Sequence, residues 1–431
     1  MTASLRALRL PRHRATTAHL CSAYPLLAET GPAATGAYLG TNVLTGGGGF
    51  AFDPFDAYRA GLVTNPNMLF AGEPGTGKSA TAKCLIHRCC GVFGRWVAIA
   101  DPKGEYRSLA DALGLSVLKL HPGGTTRLNP LDAGTSLLRG DPEEVARRQA
   151  ALVVALVGTV LRRDLTPVED AVIGWATNDL ARAATSRRAR RQPTLADLAA
   201  ALADPGEGLV TRARSTGDEL RHAVEAPVHA LGKLLDRSLR GMFDGQTNVQ
   251  LDWDGPGIVL DLSAVHHDAE ALSLVMLATT AWLQAVLASP TGPPRLQVLD
   301  EAWSLLSSER TSRYLQSCWK LGRAYGVANL AIVHRLSDLR SQADDGSATA
   351  KVSMGLLADT QTRVLFRQSS DQVAEARALL DLTTTESQIL SRLCRGRAIW
   401  KVGGRSAIVQ HAIAPGEAAF TDTDARMATG R

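Results

Sequence analysis

The chain is 431 residues long, 45% hydrophobic and 21% charged, with a formal net charge of +5. That composition supports a full core in a soluble globular protein of two or three domains and excludes a disordered or fibrous chain. Six cysteines with no C-x-x-C or Cys/His spacing exclude a zinc framework, and the mild basicity neither requires nor forbids an anionic partner.

Residues 1–50 are Gly- and Thr-rich, end in Gly46–Gly49, and read as a flexible arm. Within them Met1–Arg14 is basic, but no adequate apolar run follows, so no signal peptide is expected. Short β-like runs come next: Met68–Ala71, Trp96–Ala100, Ile258–Leu262, Leu296–Leu299, Ala328–Val333, Arg363–Phe366, Ala398–Val402 and Ala407–His411. Most are continuously apolar, as strands buried on both faces must be. Helical segments separate the first six, which predicts an α/β fold with a mostly parallel central sheet.

Strand signals stop between Asp141 and about Arg240. Glu143–Leu161, Pro167–Ala184, Thr194–Ala203 and Ser215–Leu235 carry helical periodicity, with helix starts at Asp141-Pro142 and Thr194. An all-helical insertion over residues 136–245 follows, dividing a core into 51–135 and 246–415. Its basic run Ser186–Gln192 reads as a solvated loop or as a contact to a phosphate backbone. The longest apolar stretch, Leu272–Ser289, carries Thr279, Thr280 and Gln284 and lies between two strands. It reads as a core helix rather than a membrane span. With no integral membrane segment, a cytoplasmic location is expected, any membrane contact coming through partners. Residues 416–431 are small and polar and read as a disordered tail.

The strongest motif is Gly72-Glu73-Pro74-Gly75-Thr76-Gly77-Lys78-Ser79, a full G-x-x-x-x-G-K-[ST] match. The strand Met68–Ala71 precedes it and a helix from Ala80 follows, as a phosphate loop requires. Random matches in a chain of this composition are expected on the order of one in a hundred. Gly72, Gly75 and Gly77 let the backbone turn several N–H groups inward, and with the helix start at Ala80 these form an anion cradle. Lys78 is expected to bridge the β- and γ-phosphates of ATP, and Ser79 to ligate Mg²⁺. Leu296–Leu299 ends in Asp300 and Glu301, which read as Mg²⁺ holder and general base respectively. The alternative is a strand end capped by acids.

Asp101–Tyr106 (DPKGEY) follows the second strand and should lie beside the phosphates, giving Glu105 or Asp101 access to metal or water. A plain strand-to-helix turn is the other reading. His334 ends another strand and reads either as a γ-phosphate sensor or as a structural histidine. Arg367 and Arg323 are candidates for an arginine finger reaching a neighbour's site, or for surface salt bridges.

Taken together, Gly72–Ser79, DPKGEY, LNPLD (Leu128–Asp132), GMFDGQTN (Gly241–Asn248) and VLDEAW (Val298–Trp303) resemble the ATPases of conjugation and type IV secretion, the TraC-like members of the HerA–FtsK group. The resemblance spans about Thr41 to Pro415 and implies a RecA-like P-loop NTPase with a helical insertion. It further implies ATP and Mg²⁺ as ligands and a homo-hexamer working with membrane-channel components. Contact with DNA, if any, would lack sequence specificity. Full-length relatives carry a docking domain ahead of the motor where this chain has about fifty residues, and they often have Thr-Gln at Val333-His334. The Arg-rich, Lys-poor usage suggests an actinobacterial host.

Overall fold

The computed structural model describes residues 35–421 apart from 46, 133–141, 185–190, 288–291, 307–308, 335–354 and 358. The basic run Ser186–Gln192 lies mostly outside the described residues, as does the tail beyond Thr421.

Among the described residues, one eleven-stranded sheet organises the chain. In chain order its strands are β1 (Ala37–Asn42), β2 (Gly48–Phe52), β3 (Met68–Ala71), β4 (Trp96–Asp101), β5 (Ser116–Lys119), β6 (Gly257–Asp261), β7 (Arg295–Leu299), β8 (Val327–Val333), β9 (Thr362–Leu365), β10 (Arg397–Val402) and β11 (Arg405–His411). Their spatial order is β2-β1-β11-β10-β9-β3-β8-β7-β4-β6-β5. The block from β9 to β5 is parallel, and the block from β2 to β9 is antiparallel. Every predicted strand is present to within about two residues, and the sheet is mostly parallel as expected.

Alternation along each strand assigns side chains to two cores. Leu69, Ala71, Trp96, Ala98 and Ala100 face one core, while Met68, Phe70, Val97 and Ile99 face the other. Helix Lys78–Phe93 covers the second face through Leu85, Ile86 and Cys89. Helix Ala269–Leu287 covers the first and is buried along nearly its whole length, which explains its hydropathy without a membrane.

The predicted helical stretch holds helices Pro142–Leu161, Pro167–Ala184, Leu195–Ala203, Glu207–Ala213, Gly217–Ala223 and Glu225–Lys233. Their apolar faces do not form a separate core. Leu152, Leu156, Leu198 and Leu231 belong to the cluster that also contains Leu69 and Trp282. The neck of the insertion is clasped by two motifs from the sequence. The amide of Leu128 donates to Met242 O (2.8 Å), that of Arg127 to Asn248 Oδ1 (2.8 Å) and that of Asn129 to Thr247 Oγ1 (2.9 Å). Buried Asn129 also donates through Nδ2 to Pro193 O (2.9 Å). LNPLD and GMFDGQTN therefore hold the two crossings of the insertion together.

Three parts differ from the sequence reading. The first is the arm, because residues 37–52 form β1 and β2, which extend the sheet beyond β11. The pairing brings β1 so close to β11 that a Cβ on Gly40 would lie 2.0 Å from Gln410 O. A glycine that looks like a flexibility signal locally is thus a close-approach requirement. The second is β5, an edge strand too short and too exposed to show a pattern. The third is the start of the tail, where helix Ala418–Thr421 packs against helix Lys78–Phe93. Glu417 anchors it, accepting from Arg88 Nε (2.8 Å) and from the Ala414 amide (2.9 Å).

Asp53 ties the outer strands to the core. It is fully buried and caps helix Pro54–Arg59, accepting the amides of Phe55 and Asp56 at 2.9 Å. It also takes a two-point bond from Arg95, at 3.0 and 3.1 Å. Removing Asp53 uncaps that helix and leaves the buried Arg95 guanidinium with only Asp56 Oδ1, 3.2 Å away, to compensate it. We expect Asp53→Ala to lower unfolding free energy by about 3–5 kcal/mol in urea titrations. A loss under about 1 kcal/mol would show that Asp56 suffices to hold the Arg95 charge.

Candidate active site

The phosphate loop runs from the carboxyl end of β3 into helix Lys78–Phe93. Gly75 and Gly77 have φ of +74° and +107°, conformations that turn backbone amides inward and that side chains resist. The loop is also packed from behind. A Cβ on Gly72 would lie 2.5 Å from Phe366 Cβ, and one on Gly77 would lie 3.1 Å from the Gly396 nitrogen. Thr76 braces the turn by donating Oγ1–H to Glu73 O (2.6 Å) and accepting the Gly396 amide on its carbonyl (2.9 Å).

Gly396 is held in turn by His411, whose Nδ1–H donates to Gly396 O (3.0 Å) while Nε2 accepts from Trp400 Nε1 (2.8 Å). Burial pushes the His411 imidazole down to about 4, so it stays neutral and keeps this tautomer. Nothing in the sequence signalled this brace, which joins residues remote from the loop.

Lys78 donates to the carbonyls of Gly72 and Glu73, the latter at 2.8 Å. Burial pulls its ammonium down to about 8, against the opposing pull of Asp300 and Glu301. Those carboxylates stand at the end of β7. Pro74, Gly75, Gly77, Lys78, Ser79 and Ala80 line one cleft of about 530 Å³ together with Lys103, Glu105, Asp300, Glu301 and His334. The structure therefore brings the predicted loop, the acidic pair, Glu105 and His334 into a single site.

The strand order explains the meeting. β7 lies between β8 and β4, all parallel, so their carboxyl ends deliver His334, Asp300-Glu301 and Lys103 side by side. Asp300 is buried, and its Oδ1 accepts the Glu301 amide (2.9 Å). Burial, with the nearby negative charges of Glu301 and Asp101, raises it to about 6. Glu301 is buried with φ of +53°, a left-handed conformation for a non-glycine residue and a strain of order 1–3 kcal/mol. That turn swings its side chain to the same side as Asp300, against strand alternation. Its Oε1 meets His334 Nε2 (2.6 Å) and the Lys103 ammonium, and its Oε2 accepts from Trp303 Nε1. Burial alone would raise the Glu301 carboxyl; His334 and Lys103 outweigh it and hold it down at about 2.

Asp101 and the two arginines sit otherwise. Asp101 is committed to its own turn, accepting the amides of Glu105 (3.1 Å) and Tyr106 (2.9 Å), so of the two acids in that loop only Glu105 lines the cleft. Arg367 is half exposed, with Nε 3.9 Å from Glu73 Oε2, and its carbonyl accepts the Glu73 amide (3.1 Å). It is seated on its own phosphate loop. Arg323 precedes the amino end of β8, at the opposite end of the sheet from the cleft. Lys103, which lines the cleft, and Trp303, which holds Glu301 Oε2 from outside it, are partners that the sequence reading passed over, although both lie inside quoted motifs.

No family model and no curated protein matches the chain. Solved structures do. VirB4 of Thermoanaerobacter pseudethanolicus superposes with a TM-score of 0.74 at 22% identity, covering 91% of this chain and 100% of that one. The bacterial conjugative coupling protein TrwB, in its unbound ΔN70 form, gives 0.56 at 16% identity over 81% of this chain and 85% of that one. The plasmid coupling protein TrwB in complex with ADP and Mg²⁺ gives 0.54 at 16% identity, with the same coverage. The chain thus has the fold of VirB4 and of the conjugative coupling protein TrwB, the RecA-like P-loop fold implied by its motifs.

Proposed function

We propose that this chain is a Mg²⁺-dependent ATPase and a motor subunit of a conjugative DNA-transfer or type IV secretion-like system. One observation carries the catalytic reading. An amide-rich loop with Lys78 after β3 and an acidic pair after β7, one strand removed, face each other across one cleft, at the carboxyl edge of a parallel sheet. The motor reading rests on the fold shared with VirB4 along most of the chain, together with the motif resemblance.

The residues suit the chemistry. Among the described residues no cluster of three or more His, Cys, Asp or Glu is placed to hold a metal alone. Ser79 and Asp300 instead offer two oxygen donors, which fits an ion that keeps several waters and takes phosphate oxygens. Bound there, Mg²⁺ would neutralise charge on the transferring phosphoryl group. The amides of the loop and Lys78 would bind the β- and γ-phosphates. Glu301 would orient and deprotonate the attacking water. Glu105 and His334, on either side, would position water or γ-phosphate. Arg367 would screen the loop of its own subunit, or reach a neighbour's if a homo-hexamer forms. A cytoplasmic position against a membrane channel follows from the same reading, with ATP as the nucleotide and DNA, if contacted, bound without sequence specificity.

Two measurements test this. Glu301→Gln should bind ATP as wild type does but release phosphate at least about 10²-fold more slowly, the usual contribution of a positioned base. Equal rates in the two proteins remove Glu301 from the mechanism. Gly72→Ala drives a methyl group against Phe366 and displaces the loop, so it should weaken ATP and ADP alike by about tenfold or more, read by fluorescent-nucleotide titration. Unchanged affinity would place the triphosphate elsewhere.

A further inference from the structure

Glu301 is held in a way that conflicts with its proposed role. A general base needs an oxygen free to take the proton of the attacking water. Its two oxygens are not equivalent here. The partners of Oε1, His334 and Lys103, both line the cleft, whereas Trp303, the partner of Oε2, does not. The cleft-side oxygen is therefore the one already engaged by two donors, which is its capacity. Something must leave before water can be activated.

The two partners differ in freedom. His334 sits at the end of the fully buried strand β8, with its ring fixed by one short stem. Lys103 extends a flexible four-carbon stem from the turn Asp101–Tyr106, and its ammonium also lies 3.1 Å from His334 Nε2. The turn itself is rigid. Asp101 accepts two of its amides, and Gly104 at φ +69° closes it. The backbone is thus anchored, while rotation of the stem can carry the ammonium away from Glu301 Oε1 and His334 Nε2. Lys103 and Lys78 also line the same cleft, and the two cations repel. A triphosphate between them offers Lys103 a stronger anion than Glu301.

Resting on the ATPase reading above, we propose that Lys103 is a two-position residue. In the nucleotide-free site it latches Glu301 Oε1, and with a γ-phosphate present it transfers to that phosphate and frees the carboxylate for water. Hydrolysis is thereby restricted to a cleft holding a triphosphate, since a diphosphate leaves the latch closed. Lys103 acts as a positioning residue toward Glu301 and as a γ-phosphate ligand in its own right.

The test compares a non-hydrolysable ATP analogue with ADP, both with Mg²⁺, by calorimetric titration of the full chain. Wild type, Lys103→Met, Lys103→Gln and Lys103→Arg are used, and turnover is measured in parallel. Loss of one charge-assisted contact should weaken the analogue by about tenfold in the Met and Gln variants, leave ADP within about twofold, and slow turnover. Arg should restore most of the analogue's affinity. Equal weakening of both nucleotides, or of neither, overturns the switch and leaves Lys103 a structural partner of Glu301. A wild-type protein that binds neither nucleotide overturns the ATPase reading, and the latch with it. Binding and turnover intact in wild type with Lys103 variants indistinguishable from it overturn the latch alone.

Discussion

Everything at the cleft depends on parallel strands buried on both faces. A strand covered by helices on each side must be apolar along its whole length, so its polar chemistry is displaced to its ends. In a parallel block all carboxyl ends lie on one edge. β3, β8, β7 and β4 are consecutive neighbours there, and each ends in a residue or loop of the site. The site is assembled by strand order, and the loops only finish it.

The electrostatics follow from that crowding. Asp300 and Glu301 are adjacent in sequence and buried together, yet they are pushed in opposite directions. Asp300 goes up because burial and neighbouring carboxylates dominate, and Glu301 goes down because His334 and Lys103 outweigh its burial. Environments that separate two acids in this way mark distinct tasks for them. The strained φ of Glu301 belongs to the same arrangement, since the left-handed turn allows consecutive carboxylates to share a side.

The helical stretch between β5 and β6 is tied to the sheet by two means. Its core is continuous with that of the sheet, and LNPLD and GMFDGQTN are stitched across its neck. Helix Pro142–Leu161 packs directly on Ala269–Leu287, the helix that leads into β7. It packs equally on Glu309–Gly322, so the insertion touches helices on both sides of the acidic pair in sequence. LNPLD and GMFDGQTN, which in the sequence carry only a resemblance, are mechanical in this structure.

The sequence by itself determined whatever is written in local order. The phosphate loop is eight consecutive residues, the parallel strands are unbroken apolar runs, the acidic pair ends one of them, and the insertion shows helical periodicity where strand signals fail. Tertiary structure decided what depends on neighbours across the sheet. No local pattern reveals that β7 lies between β8 and β4, so no reading of the chain could pair Glu301 with both His334 and Lys103. Nor could it show that Gly40 serves β11, or that His411 braces Thr76 through Gly396. Periodicity records which face of an element is buried, whereas contact between distant segments is set by strand order, which the chain encodes only through the energy of the whole fold.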